Sequence, residues 1–458
     1  MSDELRLRLG ALQGDPRLGL APRHAASPDP AGVGVLMDEE ERAGILLEMG
    51  FAWDASRGML VRRLAVPLLE LGLVPESLVA ERLRSLSAVV PAVGPLTITC
   101  FDLETTGLQR GTGTVPFLYG WATITGDQVQ FEQWLLPQLG QEAPLVGAAL
   151  ARLRAADLLI TYNGASYDLP LLRTRMVMAG VDRAWPATSH LDLLPMVRRL
   201  FRHRLDRCSL RRAEETLLGQ KRDHDLPGRE APERYWQFLR SGDPSPLLAV
   251  VEHNQQDVLS LARLLDRLVR HVDLEEPHPT DWLSLGRFIE ARGNLAGAEG
   301  VYRQAESCSP PPLDRAAALR RARLMRRQGL EDQAHQAWSA IWERWRDPEA
   351  AEAICVDLEH HRGDLQAALA MARDGLRSAP TGWDQRFARR IWRIQTKLGS
   401  RGDDTVGAAP RQPSQVEPWA GWLPGGESYE AWLALRRAVP PGRTGGERRF
   451  GRAEAVGR

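Results

Sequence analysis

Between residues 96 and 162 apolar and polar positions alternate in short runs broken by glycine, the pattern of strands joined by tight turns. Runs at about 96–103, 115–125 and 128–136 are separated by turn signals at Gly111–Gly113 and Gly126-Asp127, which predicts an antiparallel meander. A helical period at about 141–154 then leads to the apolar run Leu158 to Tyr162, a strand expected to lie parallel to the first. Upstream, 37–49 reads as a helix and 58–68 as a strand pair capping a domain that starts near Pro95. Adjacent strands joined by crossover helices predict an α/β fold, a mixed sheet with helices on both faces.

After Pro277-His278-Pro279 the period becomes helical throughout. Gly293, Gly329 and Gly363 recur at intervals of 36 and 34 residues, Ala298, Ala334 and Ala368 follow them at a fixed offset, and Pro310, Pro348 and Pro380 come next. Helix–turn–helix units of that period, with a small residue where helices cross, are similar to tetratricopeptide repeats and cannot bury their apolar faces singly. Trp338, Trp342 and Trp345 share one helical face and read as packing between repeats. A helix over 385–397 would cap the array, with a linker from Gly399 to Gln415, one more helix at 419–439 and a basic tail. The first 35 residues, rich in Ala, Gly, Pro and Arg, are expected to be disordered. The predicted organisation is thus a disordered 1–35, a small α/β extension 36–94, an α/β domain 95–276, helical repeats 281–398 and a largely disordered 399–458.

The chain of 458 residues is long enough for two or three domains, and its 43% hydrophobic content is ample for buried cores. Its 59 basic and 59 acidic residues cancel, so total charge does not mark a nucleic-acid binder. The distribution is uneven. From Arg198 to Arg222 nine Arg or Lys face three acids (Asp206, Glu214, Glu215), a stripe that reads either as a track for phosphates or as a solvated helix face. Lys221 and Lys397 are the only lysines, which fits a GC-rich genome as well as it fits phosphate recognition. Cys100, Cys208, Cys308 and Cys355 are widely spaced and form no Cys-x-x-Cys, which argues against a zinc knuckle or a disulfide framework. No apolar run reaches the length of a membrane span and the first residues are acidic, so a cytoplasmic, membrane-free protein is expected.

The candidate chemistry is carboxylate. In Phe101-Asp102-Leu103-Glu104-Thr105-Thr106-Gly107 strand alternation sends Asp102 and Glu104 to one face and Leu103 to the other. Paired like charges are tolerated where a divalent cation neutralises them, and hard oxygen ligands suit Mg²⁺ or Mn²⁺. Asn163-Gly164 is a turn and Asp168 opens a helix, where an acid is either a cap or an extension of a metal cluster. His253 and Asp257 stand at i and i+4 on one helix face, which alone signifies no more than a surface contact. His190-Leu191-Asp192 offers a fifth acid, read foremost as structural.

Together, Phe-Asp-Leu-Glu-Thr-Thr-Gly, Asn-Gly-x-x-Tyr-Asp and His-x-x-x-Asp, in that order over roughly 95–270, resemble the DEDD (DnaQ-like) superfamily of 3′–5′ exonucleases with the ribonuclease-H-like fold. A closer resemblance is to bacterial YprB-like proteins, which join such a domain to tetratricopeptide repeats. It rests on the glycine-rich Gly107 to Gly120 loop, on His190-Leu-Asp192-Leu-Leu-Pro195 before a basic helix, and on the repeats. The resemblance implies a two-metal-ion phosphodiesterase, with Asp102, Glu104, Asp168 and Asp257 as ligands of two Mg²⁺ or Mn²⁺ ions and His253 orienting or deprotonating the attacking water. His253 stands at the spacing of the family's tyrosine branch. Thr105, Thr106, Gly107, Asn163, Gly164 and Asp192 would lie against the substrate, a DNA or RNA end, and the repeats would dock a protein partner or guide substrate. Two alternatives remain: a structure-specific endonuclease using the same metals, and a catalytically weak nucleic-acid-binding scaffold whose repeats mediate protein interaction.

Overall fold

The structure, a computed structural model, describes residues 39–403 apart from 92–94, 108–110, 182–183, 223–225 and 276. The chain divides into two compact units at Asp357/Leu358. The expectations for 1–35, for the 419–439 helix and for the basic tail fall outside the described residues.

Seven strands, β1 (Phe51–Asp54), β2 (Met59–Pro67), β3 (Ile98–Thr105), β4 (Pro116–Thr125), β5 (Gln128–Leu135), β6 (Leu158–Thr161) and β7 (Ser189–Asp192), form one sheet in the order β1-β2-β5-β4-β3-β6-β7. The meander β3–β4–β5 is antiparallel, while β6 runs parallel to β3 with Ile98 opposite Leu158, and β7 runs parallel to β6. The expected fold class is therefore present: a mixed, ribonuclease-H-like sheet with helices, followed by an all-helical region.

One expectation is corrected. Residues 58–68 are a single strand, β2, which has no turn residue to break it and pairs with β5 from Leu60↔Leu135 to Pro67↔Gln128. It continues the sheet instead of capping it, and its own partner β1 lies upstream across a turn closed by Gly58 at φ 65°. Covering the edge of β5 removes a row of unpaired amides, which is what keeps such an edge from pairing with another chain.

The helices of this part are α1 (Glu39–Glu48), α2 (Ala80–Leu86), α3 (Ala143–Ala155), α4 (Asp168–Met178), α5 (Leu193–Phe201), α6 (Leu210–Ala213), α7 (Ala231–Ser241) and α8 (Leu248–Val272), with a π-helical turn at Glu214–Leu218 after α6. Strand alternation splits the core in two. Ile98 and Cys100 of β3 pack with α5 and α8, whereas Phe101 and Leu103 pack with α3, α4 and α7 on the opposite face. The extension is tied to α8 as well, since Asp266 accepts hydrogen bonds from the Val74 amide at 3.1 Å and from Ser77.

Among the described residues seven more helices follow: α9 (Trp282–Glu290), α10 (Leu295–Cys308), α11 (Leu313–Arg327), α12 (Glu331–Trp345), α13 (Pro348–His360), α14 (Leu365–Ser378) and α15 (Asp384–Asp403). The recurring glycines are the turns inside successive pairs, with Gly293, Gly329 and Gly363 at φ 82°, 75° and 68°, a left-handed conformation that only glycine adopts without strain. Ala298, Ala334 and Ala368 are buried, as are Trp338 and Trp342. Gly286 of α9 lies under Tyr302 of α10, where a Cβ would stand 2.5 Å from the ring. In the second unit α14 and α15 pack on each other, and α15 runs to Asp403, past the residue 399 expected to open a linker.

No core boundary lies at 277–280. Leu285 and Phe288 of α9 and Val301 of α10 belong to the same apolar core as α5 and α8. Arg204 pairs with the fully buried Asp281 at 3.3 Å, and Arg292 donates to the Leu86 carbonyl at 3.1 Å. No helix among the described residues is long and apolar enough to cross a membrane.

Candidate active site

Asp102 and Glu104 lie on the β3 face that also carries Ile98 and Cys100, and α8 covers that face. Gly120, the cross-strand partner of Asp102, permits the approach: a Cβ there would sit 2.3 Å from Asn254 Oδ1 and 2.7 Å from Val258. The missing side chain brings α8 down onto the meander and sets His253, Asn254 and Asp257 against the β3 acids. Asp168, the first residue of α4 and 5% exposed, accepts hydrogen bonds from its own amide and that of Leu103.

The electrostatics show the convergence. Burial holds the Asp102 carboxyl well above the usual carboxylate range, and Asp168, Asp257 and Glu104 each push it further up. Burial likewise lifts Asp168 to about 7, with Asp192 adding to the rise. Three acids from β3, α4 and α8 thus press on Asp102, the farthest of them more than 150 residues away in sequence.

Two neighbours that sequence reasoning missed hold these acids apart. Asn254, fully buried, donates from Nδ2 to Asp102 Oδ2 at 3.0 Å, and its Oδ1 accepts from Gln133 Nε2 at 3.0 Å. Gln133 also donates to the Val251 carbonyl at 2.8 Å, so the relay is fixed at both ends. Its signal in the sequence was slight: an amide at an inward position of β5 and another one residue after His253.

Arg222 is the second. Its guanidinium pairs with Asp257 and with Glu214 of the π-helical turn, the latter at 2.5 and 2.8 Å, and its Nη1 lies 3.2 Å from His253 Nδ1. A guanidinium only donates, so Nδ1 accepts and the ring proton sits on Nε2. That Nε2 is 3.6 Å from Asp257 Oδ2 and 4.0 Å from Glu104 Oε1. With Asp257 drawn to Arg222 and Asp102 to Asn254, no group of three or more His, Cys, Asp and Glu among the described residues is spaced to hold a metal ion.

The remaining predicted residues form the wall of the site. Thr105 Oγ1 donates to the Gly107 carbonyl at 2.8 Å, Tyr167 donates to the same carbonyl at 2.9 Å, and Thr106 Oγ1 accepts from the Val115 amide at 3.0 Å. Asn163 has φ 67°, and the Cβ that Gly164 lacks would stand 2.5 Å from Thr161. Asp192 binds this turn, accepting from the Asn163 amide at 2.8 Å and the Ala165 amide at 3.1 Å while capping α5 through Leu194 N at 3.0 Å.

Comparison with known proteins places this arrangement. A profile of the ribonuclease H superfamily (RNase_H_2) matches residues 99–269, the span that carries all four acids. The YprB protein of Bacillus subtilis (strain 168) is 32% identical over 288 residues, covering 61% of this chain and 69% of that protein. Among solved structures, the family B DNA polymerase of the hyperthermophilic archaeon Pyrobaculum calidifontis matches at 15% identity and TM-score 0.30 over 43% of this chain and 29% of that one, a likeness too slight to bear on function. On the identity and coverage shared with the Bacillus subtilis protein, the chain belongs to the YprB family, with a ribonuclease H superfamily domain at its centre.

Proposed function

We propose that the site is the centre of a metal-dependent 3′–5′ exonuclease that hydrolyses phosphodiester bonds of a nucleic acid. The observation that carries this reading is the convergence of Asp102, Glu104, Asp168 and Asp257 despite the cost of bringing buried like charges together. An all-oxygen donor set of acids fits Mg²⁺ or Mn²⁺. These four residues would hold two such ions, which when bound supply the neutralisation that an anionic phosphodiester needs for in-line displacement.

The chain's own residues do the rest. Asn254, anchored by Gln133, fixes the Asp102 carboxylate. The Thr105–Gly107 segment and the Asn163–Gly164 turn, locked by Tyr167 and Asp192, present a rigid wall to the terminal nucleotide. His253 is the base for the attacking water, a role an imidazole fills with the lone pair of one ring nitrogen. Its Nδ1 lone pair is engaged by Arg222, so Arg222 must move for Nδ1 to accept a proton, and the substrate phosphate is an anion that matches its fork. The helical pairs, of tetratricopeptide type in their glycine-turn period, serve to dock a partner or guide substrate.

The test is incubation of the full chain with Mn²⁺ and 5′-labelled DNA or RNA, linear, 3′-blocked and circular. Shortening from a free 3′ end alone supports the exonuclease, whereas cleavage of circles replaces it with an endonuclease. The Arg222–Asp257 pair favours a second reading, a scaffold that binds nucleic acid without cutting it, and that reading predicts binding with no cleavage under any of these conditions.

A further inference from the structure

Because the chain as a whole is neutral, arginines without acids mark a particular place on it. One such place lies where α5 ends against the helical pairs. Burial holds the Arg287 guanidinium below its usual range, and Arg320, Arg202 and Arg323 press it lower still. Arg292 is lowered by burial and then by Arg199, and His203 by burial, then by Arg202 and Arg287. Among the described residues Arg198, Arg199, Arg202, Arg287 and Arg292 have no carboxylate partner, and the buried Nε of Arg287 has no hydrogen-bond partner. Arg320 and Arg323 have acids, Glu290 at 4.0 Å and Glu349. Arg199 and Arg292 flank the Phe288 ring with guanidinium carbons 5.3 and 4.5 Å from its centroid, which holds the cluster in place.

The cluster is continuous with the carboxylate site. Helix α5 is capped by Asp192, which clamps the Asn163–Ala165 turn, and Arg198 lies close enough to Tyr162, beside that turn, to oppose the rise that burial imposes on its hydroxyl. From Asp192 to Arg202 is ten residues, roughly 15 Å at helical rise, which spans about four phosphates of one strand that keeps duplex-like stacking and fewer of an extended one. Arginines of one sign at that spacing match a backbone of one repeating anionic group, and each guanidinium fork can take two phosphate oxygens.

We infer that the surface formed by the end of α5 with α9 and the second half of α11 binds the phosphate backbone of a nucleic-acid strand, within about four nucleotides of the end held at the carboxylates. The helical pairs therefore hold substrate directly. Where the strand ends rests on the nuclease reading, while binding to the arginines does not.

The test uses the full chain in EDTA, where no cutting occurs, with fluorescein-labelled single-stranded DNA and RNA of about 30 nucleotides at about 50 and 200 mM salt. The triple variant Arg198→Ala, Arg202→Ala, Arg287→Gln should bind at least about tenfold more weakly and lose about two units of salt slope, since each strand contact contributes about 0.7. Arg202→Glu, at an exposed position that cannot unfold the chain, should weaken binding about threefold or more, and triple replacement by lysine should restore most of it. Unchanged affinity and slope in Arg202→Glu would overturn the inference, as would displacement of the strand by polyglutamate as effective as that by nucleic acid, which would assign the surface to an acidic protein. With Mn²⁺ the triple variant should cleave an oligonucleotide of about two residues, too short to reach Arg202, at the wild-type rate. If wild type cleaves nothing but the variant still loses binding, the track stands and the nuclease reading falls.

Discussion

Asp102 is the residue on which the site turns, because its charge is opposed by burial and by three other acids and relieved, within the chain, by one hydrogen bond from Asn254. Replacing it with asparagine keeps the shape and removes the repulsion. Asp102→Asn should therefore abolish cleavage while melting no lower than wild type in EDTA, and a drop of several degrees in melting temperature would show the carboxylate to be structural. His253→Ala should lower turnover by about 10²–10⁴-fold with substrate affinity little changed, and turnover within about threefold of wild type would leave His253 a helix contact. A residue outside the site gives a cleaner pH signature. His271 is fully buried, neither ring nitrogen has a partner among the described residues, and burial aided by Arg267 and Arg204 pushes its pKa down to about 3. Between the ordinary value of about 6.5 and that figure the unfolded chain binds a proton that the folded chain does not. Its contribution is thus complete above pH 6.5 or so and is lost as the pH falls, so His271→Leu should flatten the decline of the urea midpoint between about pH 7 and 4. Equal declines in the two proteins would refute it. Strand alternation made Asp102 and Glu104 legible as a pair, whereas Asp168 and Asp257 joined them only through the order of the three motifs and the resemblance those carry. Arg222, Asn254 and Gln133 were not legible, because the partners that place them in the site, Asp257, Asp102 and Asn254, lie 35, 152 and 121 residues away and no local period registers them.

At the scale of elements, the fit of α8 on the meander depends on Gly120. Gly120→Ala should cost about 1–3 kcal/mol by overpacking, since Asn254 is held at both ends and cannot swing aside, and should reduce activity by displacing Asp257. Gly300→Ala, on an exposed face of α10 with nothing within 4 Å, should be neutral or raise stability by up to about 1 kcal/mol. Chemical denaturation of the two variants checks both, and equal effects would remove Gly120 from the account. The meander and the helical pairs were readable because each carries its own period and its own glycine turns. Strand β7 was not, being four residues with polar His190 at its centre, and β2 was misplaced because its partner β5 lies 61 or more residues on, a tertiary choice.

Across the whole molecule, the shared core of α5, α8, α9 and α10 makes the first helical pair part of the nuclease-like body. Truncation after Val272 should expose Val269, Leu265 and their neighbours to water and give an insoluble or inactive protein, whereas truncation after Asp357, where the compact units divide, should retain activity on short oligonucleotides. A soluble, fully active 1–272 fragment would show that the pairing of α9 with α5 is dispensable. The sequence marked that point as a boundary because its period changes there, and a period does not report which faces are buried together. Whether the four converging acids make a metal-dependent exonuclease is decided by Mn²⁺-dependent degradation of a 5′-labelled single strand by wild type beside Asp102→Asn. Wild type should give a ladder shortening from the 3′ end, lost on adding EDTA and absent from the variant; an intact strand with wild type, or the same ladder from Asp102→Asn, would show that these acids do not form such a centre.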